Sequence, residues 1–327
     1  MLRGLIIAIT CLAGPLYAAC DGPSLFDTLT PSEALQIDSD AAALPYANGT
    51  QWIATKNAKV IRLIGTMHIN DPRLDPIIDD LAPDIAASDL VLLEATPDQE
   101  AQVQAYMAAN PDLLFIVDGP TLPEMLDEAT WQRIADAARA RQIPPFLIAK
   151  FRPWYVMMTL ALPPCAMPDL MAGRRGLDQR ITDTAVDIGV PIDNLEPFDT
   201  VLKVFQTGSI EENAQMLALS VPDAHEASAM FVAMLDAYFA QDIGRLMALS
   251  RVIAMRAPDV DPAQAAAMLL ESETMLLGDR NVAWLPVIQQ ALSVHDSIMI
   301  AVGAAHLPGD SGLLRLLEID GWTVTPR

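Results

Sequence analysis

One pattern occurs near both ends of the chain and constrains its fold more than any other feature. A largely apolar run is followed by Gly-x-x-His at residues 65–68, and the same arrangement returns at residues 303–306. Short apolar runs bounded by glycine predict buried strands. Because a glycine at the strand end lets the backbone turn sharply, each copy predicts a strand that presents its histidine, His68 or His306, at the edge of a sheet.

The segment between His68 and Glu94 has the pattern of a strand–helix–strand unit. Asp71 and Pro72 mark a helix start, apolar residues follow at helical spacing up to position 85, and the apolar run 90–93 predicts a second buried strand. Such a unit joins parallel strands, and we expect these two to be neighbours. His68 and Glu94 would then lie at the carboxyl edge of the sheet, where open α/β sheets place their sites.

The remaining pattern completes an α/β protein with a mixed, largely parallel sheet. Residues 52–64 read as a hairpin, and 321–324 as a closing strand. A strand over 191–195 ends at Glu196, which adds a second carboxylate at a strand end. Residues 201–275 are rich in Ala, Leu and Met and predict a helical insertion between the sheet elements.

The N-terminus has the features of a secretory signal peptide over residues 1–19. A short positive region precedes the apolar run 4–13, and small residues follow at the exit. That run is too short to span a membrane, and no later run is long and apolar enough to do so. We therefore expect a periplasmic or secreted protein whose mature chain has no transmembrane segment.

Removal of the signal peptide would leave two cysteines, Cys20 and Cys165. An even pair in an oxidising compartment predicts a disulfide, which would contribute about 4–5 kcal/mol for so long a loop. The alternative is a lipoprotein with Cys20 as the lipidated residue. Tyr17 fits poorly with the small or aliphatic run expected before such a cysteine, so we favour the disulfide.

Composition and missing motifs exclude several functions. The formal net charge of -22 makes a nucleic-acid partner improbable, because phosphate binding needs clustered Lys and Arg. The acidity favours solubility or a cationic partner. The chain also lacks the serine nucleophile elbow, the P-loop, the dinucleotide fingerprint and the helical H-E-x-x-H zinc motif.

The two motif histidines and Glu94 are the residues that suggest chemistry. A single histidine at a strand end is more often a hydrogen-bonded structural residue than a ligand, but two equivalent copies among four histidines favour a shared site. Two imidazoles and a carboxylate can bind a hydrolytic divalent metal ion. The other two histidines, His225 and His295, are expected at the surface.

Arg280 and Asn281 stand at the start of a predicted helix. A guanidinium and an amide there can hold a substrate carboxylate or a developing oxyanion. The alternative is a salt bridge at the helix end.

These residues together resemble the TraB/PrgY/GumN family, which includes the Tiki proteases. The resemblance covers residues 45–327 and is most specific in the Gly303–Leu314 segment. It is carried by residues 64–68, Glu94, 176–178, 195–196, 280–281, 301–309, 312–313 and 321–322. It implies two similar halves, each with one Gly-x-x-His motif, in a fold related to the erythromycin-esterase and ChaN-like folds.

The resemblance also implies an activity and an organisation. Tiki members are proteases that depend on manganese or cobalt, so His68, Glu94 and His306 become the expected metal or catalytic set, with Arg280 and Asn281 in support and Glu196 as a secondary candidate. The expected domain is 20–327, with a first half over 45–200, a helical insertion over 201–275, and 276–327 as the C-terminal part of the second half.

We therefore expect a metal-dependent peptidase or related hydrolase that uses Mn, Co or Zn on a peptide or small-molecule substrate. The alternative is a non-catalytic periplasmic binder of peptide, haem or metal that uses the same cleft.

Overall fold

The chain is built around one mixed six-stranded sheet with helices on both faces. The computed structural model describes Cys20 and residues 22–220, 224–256 and 261–327; the predicted signal peptide lies outside these residues. The strands are β1 (Gln51–Lys56), β2 (Lys59–Thr66), β3 (Leu90–Leu93), β4 (Ile192–Asn194), β5 (Ser297–Gly303) and β6 (Thr323–Pro326). The α/β fold predicted from the sequence is confirmed.

Sixteen α-helices are found in the described residues. They are α1 (Pro31–Ala43), α2 (Asp75–Ala86), α3 (Pro97–Ala109), α4 (Leu122–Met125), α5 (Glu128–Ala140), α6 (Pro145–Ile148), α7 (Pro153–Ala161), α8 (Met167–Met171), α9 (Leu177–Ile188), α10 (Thr200–Phe205), α11 (Ile210–Ser220), α12 (Ala224–Phe239), α13 (Ile243–Ala254), α14 (Pro262–Glu273), α15 (Asp279–Val294) and α16 (Leu313–Ile319). A π-helical turn, Thr274–Gly278, joins α14 to α15.

The strand order β4-β3-β5-β2-β1-β6 corrects one expectation. β2 and β3 are parallel members of the same sheet, as the strand–helix–strand pattern predicts, but they are not neighbours. β5 lies between them and pairs in parallel with both. The crossover through α2 leaves one position open in the sheet, and a strand from the far end of the chain fills it.

The two Gly-x-x-His strands are direct neighbours with a one-residue stagger. Gly65 of β2 pairs with Val302, and Thr66 pairs with Gly303. A Cβ on Gly65 would lie 2.8 Å from Leu307 Cδ1 and 3.0 Å from the Ala304 Cα. The Leu307 methyl group could move aside, but the Ala304 backbone leaves little room for a side chain, so glycine in the first motif favours close packing against the turn of the second.

β5 is buried on both faces of the sheet. Ile298, Ile300 and Val302 point to the side covered by α15 and α16, whereas Met299 and Ala301 point to the side covered by α2, α9 and α12. This alternation is the two-residue period of a strand. Full burial of each Ile or Val side chain contributes about 1.5–3 kcal/mol, so β5 anchors both layers of the core.

The N-terminal segment is fixed to the body of the protein by a disulfide. Cys20 is bonded to Cys165, with their Cα atoms 5.2 Å apart, in agreement with the cysteine count. Within the described residues, no helix has the length and apolar character needed to cross a membrane.

Part of the predicted helical insertion belongs to the main core. Phe231, Leu235 and Tyr238 of α12 pack among the residues on one face of the sheet. The Tyr238 hydroxyl donates a hydrogen bond of 3.0 Å to the Gly65 carbonyl. The insertion therefore contacts the backbone of the first Gly-x-x-His motif. The predicted division into halves stays a prediction.

Candidate active site

The candidate residues from four strand ends meet at the carboxyl edge of the sheet. His68 follows β2, Glu94 follows β3, Glu196 follows β4 and His306 follows β5. Gly303 marks the point of convergence. A Cβ built on it would lie 3.4 Å from Glu94 Oε1, 3.7 Å from His68 Nε2 and 3.8 Å from His306 Cδ2. The absence of a side chain at this position leaves the space that the three groups share.

Glu94 is held at both carboxylate oxygens. Its Oε1 accepts a 2.6 Å hydrogen bond from the Gly303 amide, and its Oε2 accepts one of 2.6 Å from Arg280 Nη2. Burial alone would raise the pKa of Glu94, but the Arg280 and His68 cations and the Gly303 N–H outweigh it and lower the pKa below its usual value. The carboxylate is therefore ionised at neutral pH.

Arg280 uses all five of its N–H groups inside the protein. Nε and Nη2 donate to the Glu196 carboxylate, and Nη2 also donates to Glu94. Nη1 donates to the Leu276 carbonyl at 3.0 Å and meets His306 Nε2 at 3.2 Å. Leu276 belongs to the π-helical turn, a feature frequent at functional sites. With its donors occupied, Arg280 acts through its charge and by fixing Glu94 and His306.

His306 is neutral, and its hydrogen bonds determine its tautomer. Asn281 Nδ2 donates to the carbonyls of His306 and Ser311, so Asn281 Oδ1 is the acceptor 2.7 Å from His306 Nδ1. Nδ1 therefore carries the proton, and the Nε2 lone pair accepts from Arg280. Burial lowers the pKa of His306 to about 4. Asn281 thus contacts a histidine rather than the cleft.

His68 is oriented by Asp178, for which no role was predicted from the sequence. Its Nδ1 lies 3.1 Å from Asp178 Oδ2. This hydrogen bond raises the pKa of His68 to about 9, so the ring is a cation at neutral pH with Nε2 on the cleft side. Asp178 stands in the first turn of α9, directly after Gly176 and Leu177. A Cβ on Gly176 would lie 2.3 Å from the Met67 carbonyl oxygen, so this glycine lets α9 approach the histidine.

Glu196 is a buried anchor for Arg280. Trp284 Nε1 donates a 3.0 Å hydrogen bond to Glu196 Oε2. Trp284 lies four residues after Arg280 in α15, so both side chains project from the same helix face. The Trp284 ring also packs on His306, with 4.5 Å between ring centroids. Nothing in the sequence predicts these two Trp284 contacts, because a tryptophan among apolar helix residues indicates only a core position.

A cleft of about 430 Å³ opens above these residues. His68, Glu94 and Arg280 line it, whereas His306 is only 3% exposed and Asn281 1%. The structure therefore separates a cleft-facing set from a buried supporting set. His225 and His295 lie away from the cleft; His225 is exposed in α12, and His295 is half-buried after α15.

Comparison with protein families matches residues 51–326 to the TraB/PrgY/gumN family. The chain belongs to this family. The match includes all six strands and each of the site residues described above. No curated protein matches the chain.

The TraB/PrgY/gumN resemblance implies a divalent metal, and the donor types of His68, Glu94 and the buried His306 beside the cleft fit one. Asp178 and Asn281 fix the Nδ1 atoms of the two imidazoles, the arrangement that orients metal-binding histidines. Nε2 of His68 must lose its proton before it can ligate, and Nε2 of His306 must part from Arg280. In this arrangement, no group of three His, Cys, Asp or Glu side chains within the described ranges is placed to hold an ion.

Proposed function

We propose that this TraB/PrgY/gumN-family chain is an exported hydrolase that cleaves peptide bonds in the 430 Å³ cleft. The observation that carries the proposal is the convergence of the Glu94 carboxylate and the His68 imidazole beside the buried cation Arg280. An ionised carboxylate and a protonated imidazole within one cleft form a base and an acid for hydrolysis.

Glu94 is the base in this proposal. Its carboxylate is ionised and held in one orientation by Arg280 and Gly303, so it can accept a proton from an attacking water. His68 is the acid, because its Nε2–H lies on the cleft side and can donate to the leaving amine. The positive charge of Arg280 stabilises the negative charge that develops on the substrate carbonyl oxygen, without a direct hydrogen bond to it. His306 contacts Arg280 and is itself held by Asn281, so these two residues maintain the position of Arg280.

A divalent ion is part of the proposal. His68, Glu94 and His306 would hold it, with Mn, Co or Zn as the suitable ions. In that metal-bound state His68 would be a ligand without its Nε2 proton, so its role as the acid belongs to the metal-free state. When bound, such an ion supplies Lewis acidity and lowers the pKa of a bound water. The proposed export rests on the Cys20–Cys165 disulfide, because such bonds persist in oxidising compartments.

The test uses purified mature protein. Its metal content is measured, and it is then incubated with a peptide library in the presence of Mn, Co or Zn, with cleavage detected by mass spectrometry. We expect His68→Ala and Glu94→Gln to lower cleavage at least about 100-fold, the lower end of the range for acid–base residues. His225→Ala is the matched control, because this exposed histidine is outside the cleft.

Each outcome has a distinct meaning. Equal cleavage by wild type and both site variants would refute the site. No cleavage by wild type, with peptide, haem or metal still bound, would refute the hydrolase and leave the binder. Full cleavage after complete metal removal would refute the ion's part in the reaction but keep Glu94 and His68.

A further inference from the structure

We propose that the cleft selects a Lys or Arg side chain of the substrate, with the alkyl stem on an apolar wall and the cation at Glu100. The apolar wall is defined as Val103, Phe198 and Val201. The proposal rests on the proposed hydrolysis and names the substrate class of that same site.

Glu100 differs from the other carboxylates that line the cleft. Glu94 and Glu196 are paired with Arg280, and Asp178 is hydrogen-bonded to His68. Among the described residues, by contrast, Glu100 has no cationic or imidazole partner; its recorded contact is the neutral Gln179 amide, 3.4 Å from Oε1. Because the other carboxylates of the cleft already have partners, the accessible carboxylate of Glu100 is the one left to complement a ligand cation.

The one other arginine in the cleft lining does not oppose such a ligand. Arg175 Nη1 contacts both carboxylate oxygens of Asp183, at 2.9 and 3.2 Å. Asp183 is not a lining residue of the cleft, and its carboxylate balances the charge of Arg175. The formal net charge of -22 further favours the approach of cationic peptides.

The apolar wall lines the same cleft as Glu100. Val103 is three residues after Glu100 in α3, and residues at this spacing share one helix face. Phe198 is supported by Tyr106 in an edge-on contact of 5.7 Å between ring centroids. The side chains of Val103, Phe198 and Val201 are half-buried and line the cleft.

An apolar surface and an accessible carboxylate in one cleft suit the long alkyl stem and charged tip of Lys and Arg. Helix α3, which carries Glu100 and Val103, is also held against the candidate site. Gln99, next to Glu100, donates a 2.8 Å hydrogen bond from Nε2 to the Glu196 carbonyl. This bond fixes the start of α3 relative to the strand end that carries Glu196.

The experiment uses blocked alanine heptapeptides with a fluorophore at one end and a single variable central residue. The central residue is Lys, norleucine or Glu, so only one side chain can enter the subsite. Norleucine carries the alkyl stem without the charge. Binding to the full mature protein is measured by fluorescence polarisation, and cleavage by mass spectrometry.

For wild type we expect the Lys peptide to bind about fivefold more tightly than the norleucine peptide, the upper value for an exposed ion pair. The Glu peptide should bind more weakly than either. Glu100→Gln should make Lys and norleucine equal, and Glu100→Lys should reverse the order of Lys and Glu. Asp98→Lys is the control, because it makes the same charge change in the first turn of α3 at an exposed position outside the cleft lining.

Equal binding of the three peptides to wild type would overturn the proposal, as would a wild-type preference that persists in Glu100→Lys. A reversal that Asp98→Lys reproduces would also overturn it, because net charge would then explain the effect. The binding arm gives these results whether or not any peptide is cleaved. Binding selectivity without cleavage refutes only the hydrolase, and cleavage without selectivity refutes only the subsite.

Discussion

Two glycine-to-alanine substitutions should separate catalysis from folding. At Gly303 the backbone has φ -50° and ψ 135°, a conformation open to alanine. The added Cβ would meet its nearest neighbour, Glu94 Oε1, at 3.4 Å, which is close to ordinary contact. We expect the free energy of unfolding to change by less than about 1 kcal/mol, since the lower entropy of the unfolded chain offsets slight crowding.

The same Cβ would occupy the space shared by Glu94, His68 and His306. Because the methyl group would take the place of an attacking water or a bound ion, we expect Gly303→Ala to lower kcat/KM for the library peptide by on the order of 100-fold, the cost of misplacing a reacting group by about 1 Å. The assay pairs urea denaturation with peptide cleavage on the same protein sample. Full activity in a stable Gly303→Ala protein would refute the idea that this open space is catalytic.

Gly176→Ala is the matched comparison. Its Cβ would lie 2.3 to 2.6 Å from the backbone of Met67 and His68, so α9 must move. Overpacking of this kind costs about 1–3 kcal/mol or more, and we expect loss of at least 2 kcal/mol by that principle. An unfolding free energy equal to that of wild type would show that the contact between α9 and the first motif is not tight.

Three further predictions concern charges. Arg280→Met should lower the free energy of unfolding by about 3–5 kcal/mol, because it leaves buried carboxylates without their partner; a loss under 1 kcal/mol in urea denaturation would contradict the network. Asp178→Asn should lower the pKa of His68 from about 9 towards 6.5, its unperturbed value, in an NMR titration of metal-free protein; an unchanged pKa would assign the shift to another group. Hydrogen bonds from Arg256 and Thr30 lower the pKa of Glu33 to about 2. The ionised Glu33 carboxylate therefore stabilises the folded protein fully above pH 4.5, and this contribution is lost as the pH falls through 2. The difference in urea midpoint between wild type and Glu33→Gln should therefore be present at pH 6 and vanish near pH 1.5, and a constant difference would refute the linkage.

The local elements were predictable because their signals are local. The hairpin, the strand ends at Glu94 and Glu196, and the start of α15 follow from apolar periodicity, turn residues and helix-start residues. Local signals of this kind could not predict which strand pairs with β2 in the sheet. Strand order depends on which segment fills the gap left by the α2 crossover, and that segment, β5, comes from the other end of the chain.

The candidate site shows a similar division. Histidines and a glutamate after predicted strands could be assigned to one sheet edge, which is where the structure places them. Burial and hydrogen-bond partners could not be inferred from sequence spacing. Arg280 reads equally well as a substrate ligand or a salt bridge, and only its five internal hydrogen bonds show that it fixes other site residues. Asp178 stands far from His68 in sequence, so its contact depends on the packing of α9.

The central position of β5 has a consequence for how the protein matures. Until residues 297–303 are available, β2 and β3 have no strand between them, and both would expose unpaired backbone and apolar side chains. The contacts that complete the sheet span most of the chain length, and such non-local contacts form slowly. A nascent chain that lacks its last thirty or so residues has neither a continuous sheet nor His306. Folding and assembly of the site are therefore completed together, only after the C-terminal segment has been synthesised.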